Sequence, residues 1–508
     1  MVGQTPFFVM GESEGDPKIL CDTRYNYLGP TPVIIRLSLT LLYRTGLRTN
    51  THKRHDMLLK SYLPYYRANF ALALPVIISQ VGQYMVQIVD TVMVGHLGEA
   101  VPLAAISFAY ALSWPVLFLG TGVVMGLTPL VGKSFARGDR MRSASLFKNA
   151  LLLGGVVGVI LMVLLGAMIP AMSYMGQDPA ILPIARGYMA YQLASALPMV
   201  FFATCKQFLE GVGNTTHTMV IAIVGNLLNV LLNGALIYGW WIFPEMGAVG
   251  AGASTFISRL VMVVLFLRLF WRNPDYREYV GLFRKVEITR FRLRRLLNVG
   301  VPIAMQLFIE MTALSLLAIV IGLFGAVPQA AHQIAVNLPS LSFMVVTGLA
   351  AATTIRVSQD YGLRLYPSMR RAMNASVHLI TLFTVCASVV VFFLGRPIAA
   401  LFTDEPEVID IAANLLRYGS LFMIIDGFQG VILGALRGLT EVKRPMYYAI
   451  FTYLCVSAPV GYLCGFVLKM EAAGMWIAFI VGLAVLGLLY YRRFRLRYAQ
   501  LTASQGRS

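Results

Sequence analysis

The sequence predicts an all-α polytopic membrane protein: twelve transmembrane helices in two six-helix lobes related by a parallel pseudo-two-fold repeat. Three observations carry that prediction. Of 508 residues, 58% are hydrophobic and 13% are charged, a balance too apolar for a soluble protein with a polar surface. Runs long enough to cross about 30 Å of hydrocarbon, about 20 apolar residues each, recur twelve times. The last six runs repeat landmarks of the first six 227 residues later: Pro75 as Pro302, Gly95 and Gly98 as Gly322 and Gly325, Pro179 as Pro406, Tyr191 as Tyr418, Gly211 as Gly438 and Met219 as Met446.

The first six runs lie near residues 69–94, 103–130, 146–170, 181–205, 218–241 and 248–270. The second six lie near 296–324, 329–355, 374–400, 409–435, 446–468 and 472–490. This grouping divides the chain into an N-lobe over 65–271, a linker over 272–293, a C-lobe over 294–490 and a basic tail over 491–508. Six spans per copy is an even number, so both copies enter the bilayer in the same sense and the pseudo-axis runs along the membrane normal. Duplicated bundles of this size are the usual build of secondary transporters, whose substrate sites lie between the repeats.

The net charge is +18, from 41 basic and 23 acidic residues, which could suggest nucleic acid. Its placement argues otherwise. Lys133, Arg137, Arg140, Arg142 and Lys148 separate runs 2 and 3, and Arg268, Arg272, Arg277, Arg284, Lys285, Arg290, Arg292, Arg294 and Arg295 crowd the linker. Arg364, Arg370 and Arg371 follow run 8, Lys443 and Arg444 follow run 10, and Arg492, Arg493, Arg495 and Arg497 follow run 12. The opposite connections hold Glu99, Asp178, Glu245 and the acidic stretch Asp404, Glu405, Glu407 and Asp410. By the positive-inside rule both termini and the linker are cytoplasmic. The expected partner of this surface is the lipid bilayer, with no nucleic acid.

Residues 1–60 are polar, turn basic around Arg44, Arg48, Lys53 and Arg54, and lack the pattern of a cleavable signal peptide. Their apolar run 33–43 is too short to span. Residues 1–64 are therefore expected to be a disordered cytoplasmic leader, or a mis-assigned start with the protein beginning at Met57. A weaker alternative is an interfacial helix from which Arg36 and Arg44 snorkel. Four of the five cysteines, Cys205, Cys386, Cys455 and Cys464, fall inside runs without ligand spacing. No disulfide framework, structural metal or cofactor is expected.

An ionisable side chain at mid-membrane costs at least a few kcal/mol, so each one is a functional candidate. Three acids qualify: Asp90 late in run 1, Glu310 near the middle of run 7 and Asp426 near the middle of run 10. The repeat maps Glu310 to Gln83, Asp426 to Met199 and Asp90 to Leu317, so the carboxylates are not a symmetric requirement of the fold. A carboxylate in a low-dielectric pocket can take up and release a proton near neutrality or bind Na+. Each could instead stay protonated and hold two helices together. Gln306 lies one turn before Glu310, and Gln429 three residues after Asp426, each on its acid's face. His332, Gln333 and Asn337 in run 8 are relay or ligand candidates, although a satisfied polar contact suits His332 better. Asn226, Asn229 and Asn233 in run 5 could bind a ligand or bridge helices. Arg259 in run 6 is the unusual cation, with a substrate, a carboxylate or lipid phosphate as its possible neutraliser.

The stretches VDTVMVG at 89–95, LTPLVGKSFARGD at 127–139, LEGVGNTTHTM at 209–219, NVLLNGALIYG at 229–239 and AAHQIAVN at 330–337 resemble the multidrug and toxic-compound extrusion family, in its NorM-like branch. The resemblance covers about residues 65–490 and leaves the leader without a counterpart. It implies a V-shaped pair of six-helix lobes in a bacterial inner membrane, exporting drugs or toxic organic cations by alternating access in exchange for a coupling ion, Na+ or H+, with the chain acting as a monomer. In such proteins an acid in the seventh helix and one in the tenth help to form the cation site, and these match Glu310 and Asp426; the first-helix acid matches Asp90. Some relatives add an aromatic hydroxyl one turn before the tenth-helix acid. That place is Phe422 here, which weakens the case for Na+ at Glu310 and Asp426 and leaves H+ open.

Other classes fit less well. A flippase for a lipid or lipid-linked sugar is the alternative, but it would be expected to line its cavity with several cations for phosphate, where Arg259 stands alone deep in a run. A membrane-embedded transferase would need an acidic metal cluster or a His/Asp pair. The one acidic stretch, Asp404 to Asp410, lies on the non-cytoplasmic side and is broken by Pro406. No GxxxxGK[ST] element for ATP is present. The chain is therefore not expected to be an enzyme.

Overall fold

The structure, a computed structural model, describes residues 51–97, 100–240 and 243–505. Residues 1–50 of the expected leader, including the run 33–43, lie outside the described residues, as do Gly98 and Glu99. From Thr51 onward the chain is already helical, with no glycine before Gly82 to interrupt it. The described residues from Tyr65 onward form one compact unit.

Twelve helices among the described residues are long and apolar enough to cross a membrane. In the N-lobe these are α1 (Ser61–Gly95), α2 (Val101–Ala136), α3 (Arg140–Tyr174), α4 (Ile181–Gly211), α5 (Thr216–Ile237) and α6 (Ala248–Arg272). The C-lobe has α7 (Arg290–Gly322), α8 (Ala326–Gly362), α9 (Tyr366–Ala400), α10 (Pro406–Gly438), α11 (Lys443–Val467) and α12 (Glu471–Gln505). Several outrun the apolar segments that announce them. Hydropathy marks the stretch that meets hydrocarbon, whereas helix bonding continues wherever good helix formers follow. Thus α12 carries Arg492, Arg493, Arg495 and Arg497 on its last turns, so the basic tail from 491 continues the helix as far as Gln505. Arg493 there donates to Glu441 at 2.6 and 2.9 Å.

The duplication persists at the level of atoms. In the N-lobe, Thr128 Oγ1 of α2 donates to the Gln207 carbonyl of α4 at 2.9 Å; in the C-lobe, Thr354 Oγ1 of α8 donates to the Gly434 carbonyl of α10 at 2.8 Å. A Cβ on Gly211 would stand 2.8 Å from Val131 Cβ, and one on Gly438 would stand 2.8 Å from Val357 Cβ. Small residues at such crossings let two backbones approach in the absence of a hydrophobic drive between helices. The α4 and α10 positions are 227 apart, whereas those of α2 and α8 are 226 apart, so the register has slipped by one residue. The helix ends match as well. Gly138 and Arg364 both have left-handed backbone, φ +72° and +61°, and so do Gly213 and Thr440, at +85° and +59°.

The lobes meet in the half of the span next to the basic loops. Asn69 of α1 donates to the Ala372 carbonyl and Ser376 Oγ of α9, both at 2.8 Å, and Arg137 Nε at the end of α2 donates to the Gly362 carbonyl at 2.8 Å. Between these, α2 and α7 cross with almost no side chain between them. A Cβ on Gly126 would lie 2.8 Å from the Gly300 nitrogen, and one on Gly122 would lie 2.9 Å from Ala304 Cβ. The linker after α6 is not a free loop. Its short helix Pro274–Gly281 buries Tyr276 and Tyr279, with Tyr279 edge-on to Phe208 of α4 at 5.3 Å. Lys148 of α3 donates to the Phe283 and Val286 carbonyls at 2.7 and 2.8 Å.

Candidate functional site

Each lobe contains its own polar cluster, and the two are not symmetry mates. In the N-lobe, Asp90 is buried on α1 and accepts a hydrogen bond from Asn233 Nδ2 of α5. Asn229, one turn earlier, donates to the same carboxylate at 3.2 Å once its amide is turned to match its neighbours. The 3.6-residue period makes this possible, since i and i+4 lie on one helix face. Arg259 of α6 lies within coulombic range of Asp90. Its Nη1 donates to Gln192 Oε1 of α4 at 3.2 Å and to Ser195 Oγ at 2.6 Å. Gln192 in turn donates to the Tyr188 hydroxyl at 2.8 Å, and the Tyr188 ring lies 5.7 Å from that of Tyr110 of α2. The guanidinium thus sits in a cradle of neutral acceptors beside one carboxylate.

In the C-lobe, Glu310 of α7 and Asp426 of α10 are 8% and 4% exposed and lie within coulombic range of one another. Among the described residues neither accepts a hydrogen bond. Below them toward the basic loops, Arg437 of α10 donates through Nη2 to Gln306 Oε1 at 3.4 Å, and its charge acts on Glu310. Gln306 Nε2 donates to the Tyr490 hydroxyl of α12 at 3.4 Å. That hydroxyl donates to the Pro445 carbonyl at 3.2 Å and is also paired with Gln429. Tyr453 of α11 is buried beside the two acids, and its hydroxyl has no partner. It opens a π-helical stretch, Tyr453–Ser457, and a second, Tyr462–Val467, follows Pro459. Proline lacks the N–H that α-helical bonding needs at this point, and such widened turns are frequent at functional sites.

The structure thus gathers Asp90, Asn229, Asn233 and Arg259 into one cluster and Glu310, Asp426, Gln306 and Gln429 into the other. His332 is apart from both; it is buried and takes the Trp476 indole N–H at 3.3 Å, the satisfied contact expected of it. Asn337 is exposed and donates to the Gln333 carbonyl of its own helix at 3.0 Å, so it is not brought to either cluster. Phe422, in the place of the aromatic hydroxyl, packs edge-on against Trp476 at 6.0 Å. Arg437, Tyr490, Tyr453, Gln192 and Tyr188 escape the sequence reading. A signal existed for Arg437, which is eleven residues after Asp426, three helical turns and therefore the same face.

Two lobes of one fold, each crossing the bilayer six times, joined on one side and each enclosing buried charge, define a duplicated multi-pass membrane transporter. The MatE family model matches residues 75–234 and again 302–463, two copies whose starts are 227 residues apart. The chain belongs to this family, multidrug and toxic-compound extrusion, whose members are transporters and not enzymes. Solved structures share the fold. One described as an outward-facing conformation of a multidrug resistance MATE family transporter is 21% identical, with a TM-score of 0.80 over 86% of this chain and 97% of that one. A MATE protein in the straight conformation is 22% identical, with a TM-score of 0.80 over 86% and 97% of the two chains. A transporter of the same superfamily from Pyrococcus furiosus, described as having a binding pocket of reverse polarity that suggests a different function, is 22% identical with a TM-score of 0.79, over 86% and 97% of the two chains.

Proposed function

We propose that this protein exports drugs or toxic organic cations, lipophilic and cationic small molecules, in exchange for Na+ or H+ by alternating access. It works as a NorM-like monomer, without a cofactor, in a bacterial inner membrane with both termini cytoplasmic. The observation that carries this reading is the pair of buried acids Glu310 and Asp426 in one lobe, at positions where the other lobe has Gln83 and Met199. Two like charges held together in low dielectric are costly unless a cation joins them. An ion that binds them better in one conformation than in the other transmits its gradient to the substrate.

The contacts between lobes near the basic loops fit the state closed to the cytoplasm, from which substrate leaves outward. A lipid-linked phosphate would call for free guanidinium or ammonium groups deep in the cavity. Of the two guanidinium groups in the clusters, Arg259 already spends Nη1 on Gln192 and Ser195, and Arg437 spends Nη2 on Gln306. The test uses everted membrane vesicles and ethidium, with Na+ and a proton pulse applied separately. One of the two ions should move the dye for the wild type, and Glu310→Gln and Asp426→Asn should each abolish the response at normal protein levels. Dye unmoved by either ion, or variants that respond as the wild type does, would overturn the reading and bring the flippase forward.

A further inference from the structure

On the basic-loop side a cavity of about 620 Å³ opens between the start of α3, the linker and the start of α7. That volume is within the range of about 300–1,000 Å³ usual for small-molecule sites. Four basic side chains line it, Arg142 of α3, Lys285 of the linker, and Arg292 and Arg295 of α7, against two acidic ones, Asp139 and Glu287. Asp139 is occupied, since its carboxylate caps α3 by accepting from the Arg142 backbone N–H at 2.9 Å. Among the described residues none of the four cations has an ion pair. Their one side-chain hydrogen bond runs from Arg292 Nη1 to the Glu287 carbonyl at 3.3 Å. The linker can supply a counter-charge, as Arg140 shows by pairing with Glu278, yet it supplies none here.

Like charges drift apart unless the backbone that carries them is held. Here it is held by α3. Lys148 Nζ donates to the Phe283 and Val286 carbonyls at 2.7 and 2.8 Å, and the Asn149 side chain accepts from the Thr289 N–H at 3.1 Å. The repeat puts Tyr65 and Ala68 at the positions of Arg292 and Arg295, so the charge is not a demand of the duplicated fold. The wall also has an apolar side: Phe291 and Met141 belong to it and are 74% and 46% exposed. Leu297, an exposed apolar residue of the span, follows Arg292 by five residues, which is about 8 Å along the helix. The cavity is therefore at the level of lipid headgroups, where aromatic side chains and clustered cations meet anionic lipid.

We propose that this cavity binds the phosphate of an anionic phospholipid from the leaflet on the basic-loop side. Guanidinium groups match phosphate oxygens in pairs, and Phe291 and Met141 offer apolar surface to the roots of the acyl chains. Four cations against two acids favour an anionic headgroup over a zwitterionic one, which would bring a cation of its own. Inorganic phosphate has the same oxygens but nothing to cover the apolar rim.

The full chain in dodecyl maltoside is titrated with phosphatidylglycerol or with phosphatidylcholine of the same chains, and bound lipid is counted by native mass spectrometry. The wild type should retain one phosphatidylglycerol in preference to phosphatidylcholine, and millimolar inorganic phosphate should not displace it. Each cation at a membrane surface is worth about 5-fold in affinity for anionic lipid. R142Q/R295Q should therefore weaken phosphatidylglycerol binding about 25-fold and K285Q, at an exposed position, about 5-fold. R371Q/R444Q, which removes two exposed basic-loop charges outside the cavity, should leave it unchanged. Equal retention of both lipids by the wild type overturns the proposal without any substitution. So does wild-type affinity in R142Q/R295Q or K285Q, or a loss in R371Q/R444Q as large as that in R142Q/R295Q. Displacement by inorganic phosphate would assign the cavity to a soluble anion and overturn the lipid as its occupant.

Discussion

Asn233 of α5 donates its side-chain amide to the carboxylate of Asp90 on α1, a link with no copy in the other lobe, where the repeat puts Val460 and Leu317. The bond satisfies a charge that the bilayer would otherwise penalise, and it ties the last third of α1 to α5. Asn233→Leu removes this donor and leaves the buried carboxylate with Asn229 as its one remaining amide, which costs about 1–3 kcal/mol. A lower melting temperature in detergent for this variant is the expected result; a wild-type melt would mean that the bond is idle.

Close helix crossings should be intolerant of a single methyl group. A Cβ on Gly434 of α10 would stand 2.4 Å from the Ala350 carbonyl oxygen of α8, while one on Gly155 of α3 would meet nothing within 4 Å. Gly434→Ala must push two backbones apart, at roughly 1–3 kcal/mol, whereas Gly155→Ala should be neutral or slightly stabilising through helix propensity. Thermal melts of the two variants side by side decide it.

The junction between α2 and α7 offers a lock. Cysteines at 122 and 304 would bring their Cβ atoms closer than the usual disulfide separation of about 3.8 Å, so a small adjustment closes the bridge. In a background lacking the five native cysteines, the oxidised pair should hold the lobes together on the basic-loop side and stop dye export. Reductant should restore export. Export that continues after complete cross-linking would show that this junction does not open during transport.

Thr440 closes α10 in a left-handed conformation, φ +59°, where its N-lobe counterpart is Gly213. A β-branched side chain is strained there, so Thr440→Gly should raise stability by about 0.5–1 kcal/mol after its larger unfolded-state entropy is subtracted. Chemical denaturation in detergent would register the gain, and a loss would mean that the Thr440 side chain makes a contact worth more than the strain.

Twelve spans and a duplicated fold are legible in the sequence because run length and a 227-residue register survive in the residues themselves. Helix ends are less so. The outer turns of α2, α8 and α12 are polar or basic, and hydropathy does not distinguish a helix leaving the bilayer from a loop. Asp90, Glu310 and Asp426 stand out because charge is rare in an apolar run. Arg437 does not, because it lies at the end of α10 beside Lys443 and Arg444 and passes for another loop cation; that its side chain turns inward is a fact of packing. Tyr453 and Tyr490 hide for a different reason, as aromatic residues with one polar tip among many that merely face lipid or pack. Asn337 misleads in the opposite sense, being polar in sequence yet exposed and bonded to its own helix.

The central claim is that the C-lobe acids couple an ion gradient to export. The most direct measurement is ethidium accumulation by the purified chain in proteoliposomes under an imposed Na+ or proton gradient, for wild type and Asp426→Asn of matched thermal stability. The account predicts accumulation against the dye gradient for the wild type with one of the ions and none for Asp426→Asn. Equal accumulation by both proteins would contradict it.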